Sequence, residues 1–331
     1  MNSIKQWLES IGWGEWRISV ASADASFRSY YRLSRVGMPA HRNSIQVCGG
    51  QECPPYDETY IVMDSSLMKE SLVSFIEMNE RLSSVNVRVP SIIVKNIKLG
   101  YLILEDFGNT HYLDVLNEEN YHKLYKKAID EIIKMQRSDT KGLPLYDKDF
   151  LRFEMDLMQE WYLEKYLNIT LVAEEKNIID TTLESIACMV LEQPQGVFVH
   201  RDYHSRNIML TPQDEVGIID FQDARVGAVT YDLVSLLRDC YIEWEKEAVV
   251  KLALYYRDAV GLDVDDATFI KWFDFMGLQR HIKVLGIFAR LHLRDGKSGY
   301  LKDIPLTLKY VVDVALKYPE LSGLVSLLKS A

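Results

Sequence analysis

Val199-His200-Arg201-Asp202-Tyr203-His204-Ser205-Arg206-Asn207-Ile208-Met209-Leu210 is the stretch on which the fold turns. Two short apolar runs enclose a polar loop in which a carboxylate, Asp202, stands five residues before a carboxamide, Asn207. Thirteen residues further on, the apolar run at 216–219 ends in Asp220, followed by Phe221. Such short runs at close spacing predict a small island of β-structure carrying three oxygen-bearing side chains at strand ends.

Outward from this island the pattern changes on each side. Upstream, residues 17–20, 30–34, 60–63, 92–94 and 101–104 read as strands, and residues 67–82 as a helix with Leu72, Phe75, Ile76 and Leu82 on one side. Tyr121, Leu124, Tyr125, Ala128, Ile129, Ile132 and Ile133 then recur at helical spacing, which predicts a helix with one buried face. Residues 149–167 and 174–191 read as two more helices, and everything after Tyr231 as helix in about four segments. The expected fold class is therefore α+β, with a small β-rich lobe over residues 1–105 and a larger, mostly helical lobe over 106–331.

Composition narrows the function. The 331 residues hold 38 basic and 48 acidic side chains, a net charge of −10, which argues against a broad nucleic-acid-binding face. The N-terminus is broken by Lys5, Gln6 and Glu9, and no apolar run nears the roughly 18 residues of a membrane span, so a cytoplasmic protein without membrane attachment is expected. Four cysteines in a chain of this length make no disulfide framework. Cys48, Cys53 and His41 share an irregular segment over 35–58, but their spacing is not that of a zinc site and no fourth ligand is near, so no metal is assigned there. No obligate protein partner is evident.

The loop residues match the needs of phosphoryl transfer. One carboxylate must accept the proton of the attacking hydroxyl, and hard oxygen ligands must hold magnesium on the phosphates. An Asp and an Asn in the loop with a second Asp at a nearby strand end supply these groups, while His200 reads as a brace for the loop. Only eleven residues separate Asp220 from Asp232, too few for the segment that orders a peptide, so a small-molecule acceptor is expected.

Several motifs carry a resemblance to a known family. They are Asp24-Ala25-Ser26-Phe27-Arg28 with Tyr30-Tyr31-Arg32, then Leu102-Ile103-Leu104-Glu105-Asp106-Phe107-Gly108, and the catalytic stretch itself. Ile219-Asp220-Phe221-Gln222-Asp223-Ala224, Tyr231-Asp232-Leu233-Val234, and Lys283-Val284-Leu285-Gly286-Ile287-Phe288 with Arg294-Asp295-Gly296-Lys297 follow. Together they resemble the protein-kinase-like superfamily in its aminoglycoside phosphotransferase branch, and most of all the bacterial anomeric kinases of N-acetylmuramate and N-acetylglucosamine in cell-wall recycling.

The resemblance implies a bilobal kinase fold using ATP and Mg2+, with Asp202 as catalytic base and Asn207 and Asp220 as magnesium ligands. It implies a hinge for adenine at Glu105, Asp106 and Phe107, a phosphate loop including Ser26, Phe27 and Arg28, and Asp232 as a brace of the catalytic loop. The third strand, residues 60–64, lacks the lysine that such kinases place there, and Lys69 lies on the following helix. Arg28 is the expected substitute, ahead of Arg32, because a guanidinium suits phosphate. The phosphate loop also lacks glycine. For an amino-sugar acceptor the candidate contacts are Tyr203, His204, Gln222, Asp223, Arg238 and Asp239, with Trp161 and Trp244 as stacking platforms or core residues. Arg290 and Arg294 are candidate partners for an acceptor carboxylate. Kinases of an aminoglycoside, choline or homoserine are the competing enzyme readings, and a non-catalytic nucleotide-binding scaffold is the competing reading of another class.

Overall fold

A computed structural model describes residues 2–22, 28–35, 47–48, 51–52 and 58–330. The chain opens with helix α1 (Asn2–Ser10) and strands β1 (Arg17–Ser22) and β2 (Ser29–Arg35). A short hairpin of β3 (Val47–Cys48) and β4 (Gln51–Glu52) lies within the irregular segment. Cys53 and His41 fall outside the described residues. Then come β5 (Glu58–Asp64), α2 (Lys69–Ser84), β6 (Ile92–Asn96) and β7 (Tyr101–Glu105). Five of these strands form one antiparallel sheet in the order β1-β2-β5-β7-β6.

Period-two alternation distributes this sheet's side chains between two layers. Leu33, Val62, Tyr101 and Ile103 meet Ile4, Trp7 and Leu8 of α1 on one face. Met63, Leu102 and Leu104 turn to the other face, where Leu72, Phe75 and Ile76 of α2 join them in a core continuous with the helical lobe. This second face is why α2 reaches the segment after residues 216–218: Phe75 packs on Phe221 with ring centroids 4.8 Å apart, and Ser74 Oγ donates to the Gln222 carbonyl at 2.8 Å.

After Glu105 the chain runs through α3 (Tyr112–Val115), α4 (Tyr121–Met135), α5 (Lys148–Leu157), a π-helical stretch (Met158–Tyr166) and α6 (Ala173–Glu192). Residues 149–167 were expected as one helix. The structure instead widens it at Met158, next to where the long helix α9 (Asp266–Asp295) presses closest: an added Cβ at Gly286 would stand 2.3 Å from the Leu157 carbonyl carbon. The β island follows as β8 (Val197–Val199), β9 (Ile208–Leu210), β10 (Val216–Ile218) and β11 (Arg225–Gly227), paired β8–β11 and β9–β10. Strand β11 had no counterpart in the sequence reading. Helices α7 (Tyr231–Leu237), α8 (Lys246–Val260), α9, α10 (Ile304–Ala315) and α11 (Ser322–Ser330) complete the lobe.

Helix α9 is its axis, about 45 Å long at the usual rise per residue. Asp265 caps its start by accepting the Thr268 N–H at 3.0 Å, and Gly296, at φ +67°, ends it in the left-handed region that glycine enters without strain. It packs on α5, α6, α7, α8, α10 and the π-helical stretch. Among the described residues, no helix is long and apolar enough to cross a membrane.

Candidate active site

The loop at 200–207 is held from behind by two carboxylates of the α7 segment. Asp232 accepts the N–H of His200 at 2.7 Å and that of Arg201 at 3.0 Å. Asp239, just past the end of the same helix, accepts both the N–H and the hydroxyl of Ser205, at 2.8 and 2.5 Å. His200 braces the loop from within: Nε2 contacts the Ile219 carbonyl at 3.0 Å, and the Asp202 N–H lies 3.3 Å from Nδ1. Burial lowers the His200 pKa, and a neutral ring donating to Ile219 and accepting from Asp202 satisfies both contacts. Arg201 and Asp220 sit at φ +79° and +65°, strained values for non-glycine residues that the surrounding bonds must enforce.

This bracing brings the three oxygen-bearing side chains together. Asn207 Nδ2 donates to the Asp202 carbonyl at 3.0 Å and lies 3.4 Å from Asp220 Oδ2. Gln222 Nε2 donates to the other Asp220 oxygen at 2.8 Å. Burial would raise the Asp202 carboxyl, but Lys283, His204, Arg201 and Arg280 outweigh it and hold the group at about 2. Asp202 is therefore an anion at neutral pH. His204 beside it is pushed down to about 4, chiefly by burial, and is neutral there.

Behind Asp202 lies a buried ionic cluster centred on Glu154. Arg201 Nη2 reaches its carboxylate at 2.7 Å, Lys283 Nζ at 3.2 Å and Gln279 Nε2 at 3.3 Å, and the Tyr146 hydroxyl donates to it. Lys283 also donates to the Tyr231 hydroxyl at 3.0 Å. Burial alone would raise Glu154, yet Lys283 and Arg201 hold its pKa below the ordinary value. Each charge has a partner, as burial requires.

The segment that leaves β7 is clamped by two guanidinium groups. Arg88 grips the Glu105 carboxylate with two nitrogens. Arg32 on β2 holds Asp106 through Nε at 2.5 Å and Nη2 at 3.0 Å, and its Nη2 also donates to the Gly108 carbonyl at 3.0 Å. Arg32, the second candidate for the missing lysine's role, is thus bound to Asp106 and the Gly108 carbonyl. Arg28 is buried at the start of β2, and Ser26 and Phe27 lie outside the described residues.

A cleft of about 550 Å³ runs between the sheet and the helical lobe. Its upper end is lined by Ala21, Tyr30, Arg32, Ile61 and Glu105, Asp106 and Phe107, and its middle by Asp202, Asn207 and Asp220. At the lower end, α9 presents Arg280, Lys283, Val284, Ile287, Phe288 and Leu291, a single helical stripe, opposite His204, Arg206, Tyr241 and Tyr300.

Of the six candidate acceptor contacts, His204 lines this cleft. Tyr203 points the other way, into the core, where its hydroxyl donates to the Ala128 carbonyl at 2.8 Å. Asp239 holds the loop backbone, and Arg238 is buried against Asp274 at 2.5 Å. Gln222 and Asp223 lie beside Asp220 without lining the cleft. Trp244 stacks on Tyr121 at 4.4 Å and Trp161 lies under Lys165, both packed against the core. Arg290 and Arg294 are absent from the lining, and Arg294 pairs with Asp295 at 2.7 Å. The sequence reading passed over Arg206, Tyr241 and Arg280. The spacing 280, 283, 284, 287, 288, 291 was the available signal.

Comparison with known proteins agrees with this geometry. Residues 18–268 match the phosphotransferase enzyme family. A curated protein of Neisseria meningitidis serogroup B, named N-acetylmuramate/N-acetylglucosamine kinase, is 37% identical over 98% of this chain and 94% of its own length. One of the same name from Pseudomonas aeruginosa is 38% identical over 96% of this chain and 90% of its own. Among solved structures, the choline kinase LicA of Streptococcus pneumoniae superposes with a TM-score of 0.61 at 12% identity, covering 94% of this chain and 98% of that one. The ADP-bound aminoglycoside phosphotransferase APH(2'')-Ib gives 0.59 at 17%, covering 95% and 98%. The bilobal layout is that of the kinase-like phosphotransferases. The chain belongs to the phosphotransferase enzyme family.

Proposed function

We propose that the chain transfers the γ-phosphoryl group of ATP to the anomeric hydroxyl of N-acetylmuramate or N-acetylglucosamine. The observation that carries this reading is the make-up of the cleft below Asp202. Arg206, Arg280 and Lys283 line it with Tyr241, Phe288 and Tyr300, and among the described residues no carboxylate is in its lower lining. A polycationic aminoglycoside would be repelled there, whereas a neutral or anionic sugar with an apolar face fits. The full-length relatives bearing those two sugars in their name support the same choice.

Residues 1–105 then hold the nucleotide and residues 106–331 supply the chemistry, with the backbone of Glu105 to Phe107 facing adenine. Asp202 accepts the acceptor's proton as the new O–P bond forms and the bond from the γ-phosphorus to the ADP oxygen breaks. The anomeric hydroxyl is more acidic than an ordinary alcohol because the ring oxygen withdraws electron density. That suits a base held near pKa 2, which takes a proton readily only late in the transfer.

Asn207 and Asp220 fit Mg2+: their side chains lie together, Asn207 Nδ2 3.4 Å from Asp220 Oδ2, each carries a hard oxygen, and an ion that keeps several waters and borrows phosphate oxygens needs few protein ligands. Bound there, Mg2+ would neutralise phosphate charge.

Incubation with ATP, Mg2+ and a panel of hydroxyl compounds, followed by phosphorus NMR, tests the reading. A sugar 1-phosphate is expected from the free sugars and nothing from their methyl glycosides. Phosphorylation of a methyl glycoside at a comparable rate would refute the anomeric position.

A further inference from the structure

One cation at the lower end of the cleft lacks an ionic partner. Arg280 is 3% exposed and lines the cleft. Its hydrogen-bond contact is a weak one, Nη1 to the Cys240 sulfur at 3.7 Å, and its Nε is buried with no acceptor. Among the described residues, no carboxylate lies within ion-pair distance of it. Its neighbours are otherwise engaged. Lys283 is bound to Glu154 and Tyr231, and Arg206 lies over the Tyr241 ring at 3.5 Å with Asp303 3.7 Å away.

Asp202 and Asp239 favour its charge without forming an ion pair with it, so the buried guanidinium keeps donors for an anion that enters the cleft. The helix that carries Arg280 presents Val284, Ile287, Phe288 and Leu291 along the same stripe. A ligand lying on that stripe would place an apolar surface on the helix and one anionic group at its head. We propose that Arg280 recognises a carboxylate of the acceptor, the lactyl group of N-acetylmuramate, and so sets preference for that sugar over uncharged N-acetylglucosamine. The inference rests on the proposed substrate class.

The planar fork of arginine meets a carboxylate or a phosphate alike through two parallel N–H···O bonds. What favours the carboxylate is place: Arg280 heads the stripe of α9 at the lower end of the cleft, while Asn207 and Asp220 line its middle. The structure therefore shifts carboxylate recognition from Arg290 and Arg294 to the first part of the cleft stripe.

The test measures kcat/KM for N-acetylmuramate, its lactyl methyl ester and N-acetylglucosamine with the unmodified chain, Arg280→Gln and Arg280→Lys. In the unmodified chain the ester should lose roughly ten- to a hundredfold against the free acid, the worth of a charge-assisted bond. In Arg280→Gln the acid and ester should converge to within about threefold, and Arg280→Lys should restore part of the gap. Equal losses for all three sugars in Arg280→Gln would place the residue on the phosphoryl group or in the fold and overturn the proposal. Undiminished discrimination between acid and ester in that variant would overturn it as well. If the unmodified chain phosphorylated none of the three, the substrate reading itself would fall, a result separable from a loss of the Arg280 assignment alone.

Discussion

Lys283 Nζ stands 3.2 Å from Glu154, and the same ammonium is the strongest of the charges that lower the Asp202 pKa. One buried cation thus serves two carboxylates, one structural and one facing the cleft. Removing it should be felt at both.

In Lys283→Met the Asp202 pKa should rise from about 2, because burial remains and the largest opposing charge is gone. The acid limb of the kcat–pH profile, below the usual assay range in the unmodified chain, should move upward by about one unit or more. Loss of one partner of Glu154 should also destabilise the fold by roughly 3 kcal/mol in urea denaturation. Glu154 has a depressed pKa, so its share of stability is present above the unfolded value near 4.5 and fades as pH falls through its folded one. An unmoved acid limb would separate Lys283 from Asp202.

Asp202→Asn keeps shape but cannot accept a proton. Turnover should drop by roughly two orders of magnitude or more while ATP binding, followed by calorimetry, persists. Near-normal turnover would remove Asp202 from the reaction.

Asp232 never touches the cleft, so its effect must pass through geometry. Asp232→Asn leaves one of the two amides it holds without an acceptor, at about 1–3 kcal/mol. Turnover should fall with little change in the Michaelis constant for ATP. A change confined to that constant would contradict a bracing role.

At Gly286 any side chain meets backbone rather than a yielding side chain. Gly286→Ala should push α9 away from Leu157 and lower stability by about 1–3 kcal/mol. Thermal unfolding at an unchanged midpoint would show that the two helices are not held at this spacing.

Much of this architecture was legible before any coordinates. The strands of the sheet stand as short apolar runs, the face of α4 recurs at helical spacing, and the offsets among Asp202, Asn207 and Asp220 bring three side chains into one cleft. What periodicity cannot give is the direction of a side chain in an aperiodic loop. Tyr203 and His204 are adjacent in sequence, yet one enters the core and the other the cleft. Nor does it reveal partners distant in sequence: Arg238, a candidate acceptor contact from the sequence, is paired with Asp274. The π-helical turn was missed for a similar reason, since its surroundings are set by a glycine on another helix. Arg280 was overlooked because the family motif begins at Lys283, whereas the helical stripe begins one turn earlier.

The two carboxylates behind the catalytic loop hold it largely by its amides, at His200, Arg201 and Ser205. Every amino acid but proline supplies that group, so the grip is indifferent to most side chains it holds. Positions 204 and 206, which do face the cleft, are outside the grip. The loop can therefore exchange the residues that greet an acceptor while Asp202 keeps its place. A lineage of such chains could drift from one alcohol to another by rewriting those two letters and the apolar residues of the stripe opposite, while Lys283 stays to keep Asp202 charged.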